Sequence, residues 1–173
     1  MLRPATDADA DAIRDWRNQE PNRAVSVYNH EITPEEHAAW WAKASADPTR
    51  RVLIYERAGT PSGVVNFFDL ALDREPRAAS WGFFLDAEGL AARSETLPAW
   101  IEVMREATRY AFEDLRLDDL HGEVLEHNTV VRQMNRRFRF VEGRPVQREA
   151  DGRTVVVIPI SLNRHQRNMP SAR

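Results

Sequence analysis

The sequence contains no cysteine. Disulfides, thiol nucleophiles and cysteine-ligated metals are therefore excluded. Lysine is nearly absent too: Lys43 stands alone, and arginine carries the rest of the basic charge. Glycine is sparse, with Gly89 the single one between Asp86 and Gly122. No apolar run approaches the ~18 residues of a membrane span. The segment Met1–Asp7 lacks the apolar core of a secretory signal, so a cytoplasmic protein with no membrane partner is expected. His30 and His37 lie seven apart without a companion carboxylate in a closed arrangement, so no metal site is expected. No Ser-His-Asp pattern stands out. The base-stacking motifs of nucleic-acid modules are missing, which argues against a nucleic-acid partner.

What is present describes one soluble domain. A chain of 173 residues can close one proper hydrophobic core. Charge is uneven along it. Residues 1–131 carry 14 basic and 24 acidic side chains, a balance of −10, whereas residues 132–173 carry 10 arginines against three acids, a balance of +7. Such a basic end suits either a polyanionic ligand or compensation of the acidic part.

Local signals give an element order. Leu2 to Ala5 reads as a strand, and Thr6 caps a helix to about Arg17 with Asp7 and Asp9 in its first turn. Residues 18–31 read as irregular. Thr33, Pro34 and Glu36 form a capping box for a second helix reaching Ala46. Arg51–Glu56, Val64–Leu72 and Ala78–Asp86 read as an antiparallel meander, turned first at Gly59–Gly63. A loop over 87–94 precedes a long helix, Glu95 to Leu115, with Ser94 as its candidate cap. Leu120–Leu125 is a strand, Asn128–Arg137 a helix, and Phe138–Pro145 with Arg153–Leu162 a final hairpin tipped by Asp151-Gly152. The fold class expected is α/β (α+β), β-α-α-β-β-β-α-β-α-β-β. It has a mixed, mostly antiparallel seven-stranded sheet with helices on both faces. The domain spans residues 1–162, and 163–173 reads as a polar, Arg-rich, frayed tail. A ligand cleft is expected where two parallel neighbours part, near Asp86 and Glu126.

The segment Gly122-Glu123-Val124-Leu125-Glu126-His127-Asn128, followed by Met134 to Gly143, resembles the GNAT (Gcn5-related) N-acetyltransferase family. Tyr110-Ala111-Phe112 is similar to its ribosomal-protein N-terminal acetyltransferase branch. Trp16-Arg17-Asn18, Tyr28-Asn29, Ile32 to His37 and Trp40-Trp41 resemble the amino-sugar-nucleotide acetyltransferases of pseudaminic acid biosynthesis. The resemblance implies an acyl-CoA-dependent N-acetyltransferase, with acetyl-CoA as cosubstrate and a small amine as acceptor. A nucleotide-linked amino sugar is favoured. A protein N-terminus or an antibiotic precursor is the alternative, and a non-catalytic GNAT-like binding protein is the alternative of another class. A homodimer is compatible with the family.

Two departures from the family pattern stand out. The Gly-rich pyrophosphate loop is missing, so Arg93 and Ser94 are the candidates to face the phosphates in its place. The family's general-acid tyrosine aligns with Asn135, and Arg139 replaces the glycine after it. The chemistry otherwise needs an oriented amine, a donor for the developing oxyanion and a base. A bulge in the strand before Asp86 would free the donor, a backbone N–H among Phe83 to Leu85, with Phe84 and Leu85 against the cofactor. Glu126 is the first candidate base and His37 the second. Asn128 would bond the pantetheine arm or cap its helix. Arg17, Tyr28 and Asn29 would hold a sugar or a nucleotide phosphate. One of Trp40 and Trp41 would line the acceptor pocket. Trp16, Trp81 and Trp100 are assigned to the core.

Overall fold

The computed structural model describes residues 1–168. Eight strands form one sheet: β1 (Leu2–Pro4), β2 (Arg51–Arg57), β3 (Thr60–Ala71), β4 (Ala78–Leu85), β5 (Asp119–Leu125), β6 (Val141–Glu142), β7 (Val146–Ala150) and β8 (Arg153–Asn163). Their spatial order is β1-β2-β3-β4-β5-β8, with β6 and β7 following each other along the outer edge of β8. Every pairing is antiparallel except β4 with β5. The eighth strand arises because the expected strand over 138–145 is only β6, and a new strand begins after Pro145. A proline cannot donate to a ladder. The expected Asp151-Gly152 tip is present, with φ of 51° and 70°, as a two-residue hairpin turn requires. The first hairpin turns earlier than expected, at Ala58-Gly59, and Thr60–Gly63 already belongs to β3.

Among the described residues, seven α-helices flank the sheet: α1 (Ala10–Asn18), α2 (Glu20–Ala24), α3 (Pro34–Ala46), α4 (Ala87–Ala92), α5 (Thr96–Arg109), α6 (Thr129–Arg137) and α7 (Arg164–Asn168). Two segments expected to be irregular thus hold the short helices α2 and α4. The predicted capping box of α3 is formed: Glu36 N–H donates to Thr33 Oγ1 at 3.2 Å, and Thr33 N–H to Glu36 Oε2 at 2.8 Å. The long helix does not run uniformly to Leu115, because Tyr110–Asp114 widens into a π turn. The described part of the expected tail is held in place: Arg164 donates to the carbonyls of Phe112 (3.3 Å) and Leu117 (2.6 Å). Positions 169–173 of that tail lie outside the described residues.

Alternation along β4 divides the interior into two cores. Trp81 and Leu85 join Leu90, Val103, Met104, Ala107 and Phe140 under α5 and α6. Phe84 points the other way, to Ile13, Trp16, Ile54 and Val64 under α1 and α3. A third cluster, Leu125, Ala150, Val155 and Val157, packs with Val27. The last places the 25–33 segment over the second half of β5.

One ion-pair cluster fastens β1 to α1. Arg3 forks onto Asp9 at 2.9 and 2.8 Å, and both the N–H and the hydroxyl of Thr6 donate to Asp9 Oδ2 at 2.8 and 2.9 Å. The Arg3 fork is the main reason that the Asp9 pKa falls from 3.8 to about 2, against the opposing effect of burial. A depressed carboxylate stabilises the fold above its unfolded pKa and loses that contribution as pH falls through its folded one. Asp9→Asn is expected to cost about 2 kcal/mol at pH 7. It is also expected to flatten the loss of stability between pH ~4 and ~2, as read by chemical unfolding across that range.

Candidate active site

The strands β4 and β5 pair over only three registers, Ala78–Ser80 with Asp119–His121. They part after Ser80 and His121. Gly122 marks the point of parting: a Cβ there would sit 3.3 Å from the Trp81 carbonyl oxygen and 3.3 Å from Ile160. Beyond it opens a cleft of about 580 Å³, within the ~300–1,000 Å³ range of small-molecule sites. Its walls include Trp81, Phe83, Phe84, Leu85, Val124 and Ile160.

The free backbone donors follow from alternation. Asp86 N–H donates to Ser62 O on β3 at 2.9 Å, and Phe84 pairs with Val64 in the same register. Even positions of β4 thus bond β3, and the N–H groups of Phe83 and Leu85 face the side that β5 has left. The expected bulge is absent, since the β3–β4 register runs evenly from Ser80 to Leu85. Divergence of β5 frees these donors instead. On the same edge the Leu85 carbonyl accepts from Asn22 Nδ2 at 2.8 Å, and Asn22 Nδ2 also reaches Trp16 O at 2.7 Å.

The segment opposite is strapped down by side chains of α1, of α2 and of the β7–β8 hairpin. Asn18 brackets Ile32 in both directions, at 2.9 and 2.8 Å. Arg17 donates to Tyr28 O, Arg23 to Asn29 O at 3.1 Å and Arg153 to Val27 O at 3.2 Å. Asp151, at the hairpin tip, accepts from the N–H groups of Asn29 (2.6 Å) and His30 (3.1 Å) and contacts the His30 ring at 2.9 Å. Burial works against ionisation of Asp151, but these hydrogen bonds outweigh it and hold its pKa below the usual carboxylate value.

Six of the sequence-predicted residues line the cleft: Arg17, Tyr28, Phe84, Leu85, Asn128 and Asn135. Asn128 caps α6, its Oδ1 accepting from Val131 N–H at 3.2 Å. Asn135 is buried. The other six are elsewhere. Glu126 is exposed just past the end of β5, and its backbone is tied to Val156 and Arg132. Asn29 is engaged through its backbone, as above. The Trp40 ring lies tilted against those of His37 (5.3 Å) and Trp41 (6.0 Å) in the α1–α3 core. Trp41 donates to Asp7 at 2.8 Å, so neither indole reaches the acceptor side. Trp16 and Trp81 are buried in the core as expected, and Trp100 packs half-buried against it. Trp81 and Trp100 also line the cleft.

His37 is buried on α3 with its Nε2 unpartnered. Burial is the chief reason its pKa lies below the ordinary histidine value. A histidine held neutral by burial weakens the fold as pH drops below ~6.5, because the unfolded chain takes the proton first. His37→Phe is expected to remove that acid-side slope in thermal melts and to leave kcat near that of the wild type, because His37 lies beside Trp40 away from the cleft lining.

The missing glycine loop is replaced by a capped helix. Residues 87–92 form α4, and its first amides are already taken. Ala87 and Glu88 N–H donate to Gln19 Oε1 at 2.7 and 3.3 Å, and Gly89 N–H to Asp86 Oδ1 at 3.0 Å. Gln19 Nε2 closes the ring onto Asp86 Oδ1 at 2.9 Å. Ser94 does not cap α5: it has φ of 56°, its N–H bonds Ala91 O, and Glu95 is the cap residue. Arg93 is paired with Glu95 at 3.1 Å. The amides at the start of α5 are those of Thr96 and Leu97, and Thr96 lines the cleft.

Sequence reasoning missed Glu123. Val124 belongs to the α5–α6 core and Leu125 to the cluster with Val27, so Glu123 shares the Leu125 face, toward the 25–33 segment. It lines the cleft. Arg148 holds its Oε1 at 2.6 Å, and among the described residues Oε2 has no partner. Strict alternation counted back from Leu125 was the available signal.

A family model described as "Acetyltransferase (GNAT) domain" matches residues 5–148. No curated protein matches. Among solved structures, a Vibrio cholerae spermidine N-acetyltransferase in complex with CoA and spermine superposes with a TM-score of 0.76 at 20% identity, over 96% of each chain. The Campylobacter jejuni N-acetyltransferase PseH in complex with acetyl coenzyme A has a TM-score of 0.63 at 15% identity, over 95% of this chain and 99% of that one. The chain belongs to the GNAT acetyltransferase family. The domain it carries is that of an acetyltransferase.

Proposed function

We propose that the protein transfers an acetyl group from acetyl-CoA to the primary amine of a small molecule bound between the β4–β5 cleft and the 25–33 segment, with a nucleotide-linked amino sugar as the favoured acceptor. The observation that carries this reading is the parting of β4 from β5, which turns the Phe83 and Leu85 N–H groups toward an apolar cleft that also holds a carboxylate, Glu123.

The cleft suits the thin, amide-bearing arm of the cosubstrate. It offers apolar walls, an unpaired strand edge that can receive carbonyl groups, and the unpartnered indole N–H of buried Trp81. The Phe83 and Leu85 amides and Asn135 would hold that arm, and Thr96 and Leu97 amides at α5 would meet its diphosphate end. Acetyl-CoA supplies an acyl group already activated as a thioester. Phe83 or Leu85 N–H donates to the acyl oxygen as negative charge builds on it, an effect worth a few kcal/mol per donor in acyl transfer (about 3–4). Oε2 of Glu123 accepts the proton of the acceptor ammonium, directly or through one water; the freed amine nitrogen then bonds the acyl carbon, the C–S bond breaks, and the departing CoA thiolate takes up the proton that the attacking nitrogen sheds. The salt link to Arg148 holds that carboxylate in place. Tyr28 is exposed at the mouth of the cleft, where a ring face suits a sugar or a base.

The test is release of free thiol from acetyl-CoA across a panel of amines. A thermal shift with CoA and with acetyl-CoA accompanies it. Acceptor-dependent thiol release with UDP-glucosamine is expected. The absence of both a thermal shift and thiol release at millimolar ligand would overturn the reading.

A further inference from the structure

Asn22 belongs to α2, reaches the end of β4 and lines the cleft. Its carboxamide fits its surroundings in one orientation. Nδ2 lies 2.7 Å from the Trp16 carbonyl oxygen and 2.8 Å from that of Leu85. Both neighbours accept hydrogen bonds, so the nitrogen must face them, and its two hydrogens are spent there. Oδ1 then faces away from both carbonyls. Among the described residues it has no partner and, on a half-buried side chain, it keeps access to solvent. The backbone fixes the pose as well. Asn22 N–H donates to Gln19 O at 3.0 Å, and Asn22 O accepts from Ser26 Oγ at 2.6 Å.

Two other oxygens of the lining are committed. Asn128 Oδ1 takes the Val131 N–H at 3.2 Å, and Glu123 Oε1 takes Arg148 at 2.6 Å. Glu123 Oε2 and Asn22 Oδ1 stay open. Arg17 and Glu123 are the charged side chains of this lining among the described residues. A bound ammonium has three N–H groups, and each left without an acceptor is costly once water is displaced. Glu123 can take one proton. Its departure leaves the lone pair aimed at Glu123, and the nitrogen must turn that pair to the acyl carbon. A second acceptor can hold the nitrogen through this turn. A neutral oxygen suits that place, because a second carboxylate would favour the unreactive ammonium.

We propose that Asn22 orients the reacting amine: Oδ1 accepts one N–H of the acceptor nitrogen and keeps it while the lone pair turns from Glu123 to the acyl carbon. This rests on the acetyltransferase reading above. The placement suits it, since the same carboxamide holds the carbonyl of Leu85, whose N–H is one of the two donors toward the acyl oxygen. Positive charge builds on the nitrogen as it bonds the acyl carbon, so the hydrogen bond to Oδ1 strengthens as the transition state forms. The strand end itself does not depend on Asn22. Leu85 pairs with Gly63, and Asp86 N–H bonds Ser62 O at 2.9 Å.

The test is thiol release from acetyl-CoA with UDP-glucosamine, glucosamine, butylamine and spermidine. Asn22→Ala is expected to lower kcat/KM about 10–100-fold for each amine that reacts, the scale of one hydrogen bond to a charged group. The KM for acetyl-CoA and the thermal shift it produces are expected to stay those of the wild type. Asn22→Asp keeps an oxygen and loses the donors, as Asn22→Ala does. Its rate is expected to recover at alkaline pH, with the rise displaced upward from that of the wild type, because the new carboxylate holds the amine's proton. A purely structural role predicts the same defect in both variants at every pH and a smaller acetyl-CoA thermal shift. Circular dichroism melts check that each variant folds. The wild type gives a second readout by NMR: the Asn22 side-chain amide signals are expected to move when the fastest of these amines is added to CoA-saturated protein. A wild-type rate in Asn22→Ala, equal defects in the two variants at every pH, a lost thermal shift, or no NMR response to the amine would overturn the role of Asn22 while leaving the transferase standing. No thiol release with any of these amines would remove the transferase reading, and this role with it.

Discussion

Glu123→Gln is expected to lower kcat by about 10²–10⁴-fold, the usual contribution of a positioned general base, with little change in the KM for acetyl-CoA. The substitution keeps size and hydrogen-bonding shape. It removes only the capacity to take the amine's proton, along with the charge facing Arg148 at 2.6 Å. That ion pair is half exposed, and exposed pairs contribute at most about 1 kcal/mol to stability. The melting temperature is therefore expected to move little. The discriminating measurement is the pH profile of kcat/KM. Raising the pH supplies free amine and bypasses a base, so the defect should shrink toward alkaline pH. A rate unchanged at neutral pH would take Glu123 out of the role, and the same assay on Glu126→Gln would then decide between the two carboxylates. Glu126 stands exposed outside the cleft lining, so its replacement is expected to be nearly silent.

Gly122→Val is expected to abolish the thermal shift produced by acetyl-CoA. The added Cβ already meets the Trp81 carbonyl and Ile160 at 3.3 Å, and two methyl groups more would have to enter the cleft or push β5 off β4. Overpacking of this kind costs about 1–3 kcal/mol of stability, so the variant should melt lower yet remain folded. The informative quantity is the ligand-induced increment, measured against the variant's own baseline. An increment equal to that of the wild type would show that the cosubstrate arm does not pass this point.

Much of the architecture was legible because its signals are local. Thr33-Pro34-Glu36 fixes a helix start within four residues, and Asp151-Gly152 fixes a hairpin tip within two. The parting of β4 and β5 was also foreseeable, since a parallel neighbour requires a crossover and a crossover requires an end. What stayed hidden depends on partners remote in the chain. Gln19 caps α4 across nearly seventy positions of sequence, and nothing near Ala87 announces it. That single side chain turns an expected open loop into a closed helix and leaves Arg93 and Ser94 away from the cleft.

The candidate site divides along the same line. Arg17 and Tyr28 were readable through the motif they sit in, and the structure brings both to the cleft. Trp40 and His37 belong to the same stretch but to the other core, because α3 turns them toward Ile13 and Trp16. Glu123 was missed by parity alone: one residue decides which face of a strand a side chain takes. The basic end of the chain is compensated in part from outside it, with Arg148 on Glu123, Arg164 on Asp118 and Arg167 on Glu113, while Arg132 and Arg136 share Glu142 within it. Arg17 lies outside that basic end; it forms no ion pair among the described residues, with the Asp151 carboxylate as a nearby opposite charge.

The open edge of β4 is where the cosubstrate arm must add its hydrogen bonds. Amide hydrogen exchange of Phe83 and Leu85, followed by NMR with and without acetyl-CoA, tests it directly. Exchange of both amides is expected to slow by an order of magnitude or more on binding, while that of Phe84, already bonded to β3, stays as it was. Phe83 and Leu85 amides that are equally protected without ligand, or that do not respond to saturating acetyl-CoA, would contradict it.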